Sequence, residues 1–428
     1  MLIRGLVTAF LTIGLALPVL SADLPRGTPE DVGMSSERLS RLDAALENHV
    51  QQGRVAGVVS LVARQGKVVH FDAVGHADIE TDHLMTRDTM FRIASMTKPV
   101  TSVAVMMLFE EGHFLLSDPV SKYIPELKDL QVYVSGEGDA IVTRPAAREM
   151  TIRDLLTHQS GFIYGGVIST GPVADLYDQK GATVGASRPK TAPPLNSLAD
   201  LTRILSTLPL AHDPGAQWSY GVSTDVLGRL IEVVSGMPLD QFFQERVFGP
   251  LGMRDTAFWV PLDKQPRFAA VYTFNEQGQL TPMLGPDEAR FASPPPAPSG
   301  GGGLVSTAND YAKFCQMLLN GGSFGGVRLL GPKTIKLMTM NHLQEEGARL
   351  PAFPGASFGL GFAVIEDVAM TQVMGSEGEY SWAGFFSTDF WIDPEEDLFG
   401  IVLTQTVPYG SNPLRTEAKR FVYQSIID

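Results

Sequence analysis

The stretch Phe91-Arg92-Ile93-Ala94-Ser95-Met96-Thr97-Lys98-Pro99-Val100 decides how this chain is read. It leads into an apolar segment, residues 100–109, closed by Glu110, Glu111 and Gly112. A helix starting near Ser95 stacks residues three apart on one face, which sets Lys98 beside Ser95. Pro99 supports that start, because proline is tolerated where a helix has no partner for the N–H anyway. The Ser95 hydroxyl then lies at the positive end of a helix next to an amine. That is one way to make a weak nucleophile reactive.

Working outward, two β-rich runs at 55–64 and 67–74, joined by Gln65-Gly66, precede the motif, and a helix is expected at 29–52. After it comes a short helix at 151–158, with Thr151 and Asp154 at capping-box spacing, then helices at 197–208, 223–235 and 238–247. The polar stretches 164–196 and 280–303 read as loops, with the glycines at 300–303 as a flexible hinge. An amphipathic helix at 307–319 is followed by β runs at 358–365, 370–374, 379–392 and 398–405, and by a closing helix at 413–427. The expected fold class is α+β. An antiparallel sheet flanked by helices would come from both chain ends (23–115 and 300–428), interrupted by a mostly helical domain (116–299).

The chain has 428 residues, 44% of them hydrophobic and 19% charged, so it can bury a sizeable core. A formal net charge of −14 argues against nucleic acid or an anionic membrane as partner. Residues 1–22, with Arg4, an apolar run and then Ser21-Ala22, read as a signal peptide. An exported protein, periplasmic or secreted, is therefore expected, with no lasting membrane insertion. Its only cysteine is Cys315, so no internal disulfide is expected. His70, His76 and His83 lie among acidic residues at no spacing that matches a zinc motif, and neither metal nor cofactor is expected.

Ser-x-x-Lys alone is a weak signal. Its company raises it. Tyr220 lies in Trp218-Ser219-Tyr220-Gly221 between two helical stretches, and Ser381-Trp382-Ala383-Gly384-Phe385 is a β-rich third element. Nucleophilic catalysis needs a serine, a base and backbone N–H groups facing the developing oxyanion. Ser95 is the nucleophile, and Lys98 and Tyr220 share the proton transfer as a coupled system.

Together with Leu155-Leu156-Thr157-His158-Gln159-Ser160-Gly161 and Asp225-Val226-Leu227-Gly228, these motifs resemble the serine β-lactamase and penicillin-binding-protein fold from about residue 29 to the C-terminus. Within it the chain is most similar to family VIII carboxylesterases, which resemble class C β-lactamases. The resemblance implies an acyl-enzyme on Ser95, proton transfer by Lys98 and Tyr220, and an oxyanion hole from the backbone N–H groups of Ser95 and Phe385. Trp382, Gly384, Val222 and Gln159 are the candidate substrate-binding residues.

Two departures from the family pattern bear on substrate. Val222 stands where β-lactamases and DD-peptidases carry an asparagine, and Trp382 replaces the lysine of their Lys-Thr-Gly motif. An indole cannot pair with a substrate carboxylate; it offers an apolar wall and one donor. The expectation is an ester hydrolase acting on small-molecule, short-chain esters, with weak β-lactam hydrolysis alongside. The rival readings are a β-lactamase or DD-peptidase, and a non-catalytic binding protein on the same fold. Gly321-Gly322-Ser323-Phe324-Gly325 also matches Gly-x-Ser-x-Gly, but a helix precedes it where a nucleophile elbow needs a strand, so it reads as a turn.

Overall fold

Strand β1 (Gly57–Arg64) is buried along its whole length. Its side chains divide by parity: Val58 and Val62 join one core, and Val59, Leu61 and Ala63 the other. That division is what a strand covered by helices on both faces requires, and it explains the unbroken apolar run. The computed structural model describes residues 23–428 except 167, 186–187, 189–190, 344–349 and 351–352, so the leader expected at 1–22 lies outside the described residues.

β1 pairs with β2 (Lys67–Asp78), which carries the short edge strand β3 (His83–Leu84). The remaining strands of the sheet come from the C-terminal part: β4 (Ala356–Phe358), β5 (Ala363–Ile365), β6 (Tyr380–Gly384), β7 (Thr388–Asp393) and β8 (Leu398–Leu403). The order is β4-β5-β6-β7-β8-β1-β2-β3, antiparallel at every pairing. The two chain ends meet in the β1–β8 ladder, where Val59 faces Leu403 and Arg64 faces Leu398.

Five helices frame the sheet and the site: α1 (Ser36–Gln51), α2 (Thr97–Glu110), α3 (Ser223–Ser235), α4 (Ala308–Leu319) and α5 (Leu414–Tyr423). α1 and α5 cover one face of the sheet, where Leu39, Leu42 and Leu46 pack with Trp391, Val402, Ala418 and Val422. On the other face α2 and α4 bring Val100, Val103 and Phe314 against Phe390 and Ile401. Every residue of α2 from Thr97 to Leu108 is buried, which is why its sequence shows no polar stripe.

The structure corrects several expectations. The polar stretch 164–196 contains the helix Pro172–Lys180, opened by Gly171 and Pro172 and closed by Gly181 in the left-handed region. Within 280–303, Leu280–Leu284 is a strand paired with Val271–Phe274. Of residues 370–374, read as β, Met370 and Thr371 end the short helix Val368–Thr371, whose N-cap Asp367 accepts the Met370 N–H, and Gln372 caps it in the left-handed region. The β run at 379–392 is two strands, because Ser387 turns through φ +60 between them.

Gly400 on β8 faces Trp391 on β7, and a Cβ at Gly400 would strike the indole ring. Gly400→Ala should overfill this core and lower the stability by about 1–3 kcal/mol, seen as a drop in urea midpoint without a change in m-value.

Candidate active site

Ser95 lies in a 3-10 turn, Ala94–Met96, directly before α2. Its predecessor Ala94 has φ +43, a region that costs a non-glycine residue on the order of 1–3 kcal/mol and persists only where surroundings enforce it. Thr97 supplies part of that enforcement. Its hydroxyl donates to the Ala94 carbonyl at 2.7 Å and accepts the Leu304 N–H at 3.1 Å. Lys98, one helical turn on, is 1% exposed. Its Nζ donates to Ser95 Oγ (3.2 Å), Tyr164 OH (3.1 Å) and the Gly301 carbonyl (2.6 Å).

The glycine run expected to be a hinge is clamped from two sides. From α2, Lys98 holds the Gly301 carbonyl and Thr101 Oγ1 holds that of Gly300 at 2.7 Å. From α3, the Asp225 carboxylate accepts the Ser299 hydroxyl at 2.6 Å and the Gly301 N–H at 3.0 Å. A Cβ at Gly301 would come within 2.7 Å of Asp225 Oδ2, so close approach, not flexibility, is what the glycine provides. Burial pushes the Asp225 carboxyl up, while Ser299, the Lys98 charge and the Gly301 N–H pull it down.

Tyr220 reaches the site from the turn before α3 and is held by rings. Its centroid is 5.9 Å from Trp218 in a stacked pair, 5.0 Å from His158, 5.4 Å from Tyr164 and 5.5 Å from Trp382. Lys98 Nζ lies 4.6 Å from the Tyr220 ring centroid. Burial, helped by the Lys98 charge, holds the His158 imidazole well below its usual range, so it packs as a neutral ring. Burial pushes Tyr164 well up, with Asp225 and Tyr220 acting in the same direction, so its phenol keeps its proton.

Ser95, Tyr220, Trp382, Gly384 and Phe385 all line one cavity of about 940 Å³. The Ser95 N–H falls in a first helical turn, where helix geometry offers no acceptor, and Phe385 follows the last paired residue of β6. Gly384 brings these two segments together. A Cβ there would strike the Ile93 carbonyl and the Thr388 hydroxyl. Val222 and Gln159 are not part of the cavity wall. Val222 is fully buried as N-cap of α3, and Gln159 is 5% exposed and braces Gly215 through its Nε2 (3.4 Å) and its backbone. The Gly-x-Ser-x-Gly segment forms a hairpin of Ser323–Phe324 with Val327–Arg328, away from the cavity wall.

Sequence reasoning missed Tyr164 as a partner of Lys98, because it opens a polar stretch with no periodicity. Asp225 had a place in a motif but no role, because an acidic residue in a first helical turn is already explained by the helix dipole.

A profile of the beta-lactamase family matches residues 42–424. Esterase EstB of Burkholderia gladioli is 30% identical over 90% of this chain and 95% of its own length. A putative D-alanyl-D-alanine carboxypeptidase of Salmonella agona (strain SL483) is also 30% identical, over 92% of this chain and 89% of its own. Among solved structures, EstCE1, described as a hydrolase with promiscuous acyltransferase activity, superposes with a TM-score of 0.75 at 28% identity, covering 90% of this chain and 99% of that one.

Asp225→Asn keeps the shape of the clamp and removes its charge. Charge-assisted hydrogen bonds contribute about 1.5–3 kcal/mol each, so turnover of p-nitrophenyl acetate should fall roughly ten- to a hundredfold in kcat. KM should move little and the folded state should survive by circular dichroism, the pattern of a residue that positions Lys98 without touching substrate.

Proposed function

The chain belongs to the beta-lactamase family of serine hydrolases, and on that footing we propose that it is an exported carboxylesterase cleaving uncharged esters through an acyl-enzyme on Ser95. The observation that carries the reading is Lys98 Nζ, 3.2 Å from Ser95 Oγ at the foot of a cavity walled by Trp218, Tyr220, Phe353 and Trp382. A wall of indole and phenyl rings receives an apolar ester, and Trp382 stands where a cation for a substrate carboxylate would be expected. The leader pattern at 1–22 supports export.

In this mechanism Ser95 Oγ attacks the ester carbonyl carbon while its proton passes to the Lys98–Tyr220 pair, one member of which must be unprotonated to take it: the free amine of Lys98, or the phenolate of Tyr220 beside the Lys98 ammonium. The carbonyl oxygen becomes an oxyanion and takes the N–H groups of Ser95 and Phe385. Collapse breaks the bond to the alcohol oxygen, which leaves with a proton from the same pair. Water then adds to the acyl-enzyme, loses its proton by the same route, and releases the acid and free Ser95. The carboxypeptidase-like relative keeps β-lactams and peptides as the second reading. Trp382 and Val222 weigh against it, since they remove the cation and the amide expected from such enzymes. A binding-only role has no need of Ser95, Lys98 and Tyr220 together.

Ser95→Ala should abolish hydrolysis of p-nitrophenyl acetate and butyrate, while Ser323→Ala should leave it nearly unchanged; the reverse pattern would move the nucleophile. Lys98→Ala and Tyr220→Phe should each cost about 10²–10⁴-fold in turnover. A chromogenic cephalosporin turned over faster than the esters would replace this reading with the lactamase one.

A further inference from the structure

The cavity does not end at the catalytic side of β6. Successive residues of a strand face opposite ways, so Trp382 points to Ser95 while Ser381 and Ala383 point to the α5 side. Register agrees: Ser381 faces Ala363 of β5 and Ala383 faces Asp389 of β7. β5 pairs with β6 only at Tyr380 and Ser381, so no described strand covers that edge at residues 382–384. Around this open edge the same cavity passes from Ser95 to a second lobe, floored by Ile365, Val368, Val373 and Met374 and ending at Tyr409 and Arg415.

At that end Arg415 is held as a fixed donor. Its Nε lies 3.2 Å from Asp389 Oδ1, its Nη1 donates to Tyr409 OH at 3.2 Å, and its Nη2 donates to Ser381 Oγ at 3.0 Å. Tyr409 in turn donates to Asp389 at 3.1 Å. A guanidinium carries five N–H groups, and these bonds leave one on each terminal nitrogen with no partner among the described residues. The side chain keeps 25% exposure and lines the lobe. Charge nearby is already matched or exceeded: Lys419 pairs with Glu379 at 2.6 Å, and Tyr423 bridges Glu379 to Asp393. Two cations already face three acidic side chains, Asp389, Glu379 and Asp393, so an added carboxylate meets repulsion here that a neutral oxygen acceptor does not.

We propose that this second lobe is a substrate subsite for the bulkier of the ester's two groups, and that Arg415 recognises a neutral oxygen acceptor, such as a ketone or ether, at that group's far end. The inference rests on the esterase reading and sharpens it: a cavity of about 940 Å³ suits a ligand near the top of the small-molecule range of roughly 300–1,000 Å³, well beyond a short-chain ester alone. Apolar walls supply the fit, and two preorganised N–H groups supply the orientation.

The test compares esters of one rigid bicyclic skeleton that carries either a distal ketone or a methylene, placed in one pair on the alcohol and in a second on the acyl group. The native enzyme should favour the ketone by about tenfold or more in kcat/KM in one of the pairs, as expected for a hydrogen bond to a charged donor. The paired change Arg415→Met with Asp389→Asn, which removes the guanidinium together with its own carboxylate partner, should bring that ratio to near one. Ile365→Trp should slow the ketone and the methylene ester of the favoured pair alike, relative to p-nitrophenyl acetate. A native ratio near one in both pairs, or a ratio that survives the Arg415 change, overturns the subsite. If the native protein hydrolyses no ester, the esterase reading fails instead. Calorimetry with the free ketone and its methylene analogue then decides the subsite separately: tighter ketone binding lost with Arg415 supports it, and equal binding overturns it.

Discussion

The amine of Lys98 is the point on which this structure turns. It lies 1% exposed, and burying a cation is expensive unless its donors are met. Ser95 Oγ, Tyr164 OH and the Gly301 carbonyl meet them. In the proposed acyl-enzyme route only the first takes part in the reaction; the other two hold the amine beside Ser95. The Gly301 carbonyl could not serve without Asp225, which grips the N–H of the same glycine. Asp225 thus opposes the Lys98 charge at one remove, through a single residue, in an environment where charges are poorly screened.

The glycines at 300–303 follow from the same constraint. A side chain at Gly301 would meet Asp225, and one at Gly300 would come 2.8 Å from the Thr224 carbonyl. Two helices and the segment between them can approach closely enough to share Lys98 only because that segment has no Cβ atoms. Strain at Ala94 belongs to this arrangement, since the residue is pinned by Thr97, which also ties the segment to α2.

Strand β6 divides the sheet's labour. One face presents Trp382 to Tyr220 and Phe358 within the aromatic layer over Ser95, and the other presents Ser381 to Arg415. Because β5 leaves the far end of β6 uncovered, the cavity reaches both faces around one edge. Gly384 lets that end press against Ile93, which brings Phe385 toward Ser95 from a strand almost three hundred residues away.

The local elements were largely legible in the sequence. A serine and a lysine three apart at a helix start, an apolar helix with no polar face and β runs at both ends of the chain all follow from spacing and composition. So did the substitution of Trp382 for a cation. Irregular stretches were not legible, because a helix such as Pro172–Lys180 takes its stability from packing that no local pattern announces. The sequence by itself determined that Ser95 and Lys98 stand together at the start of a buried helix and that the antiparallel sheet is built from both ends. Only the tertiary structure decided that Tyr164, Asp225 and Gly301 hold that lysine, that Val222 and Gln159 lie off the cavity wall, and that the cavity turns a strand's edge toward Arg415. Those are meetings between residues distant in the chain, and close packing alone sets them.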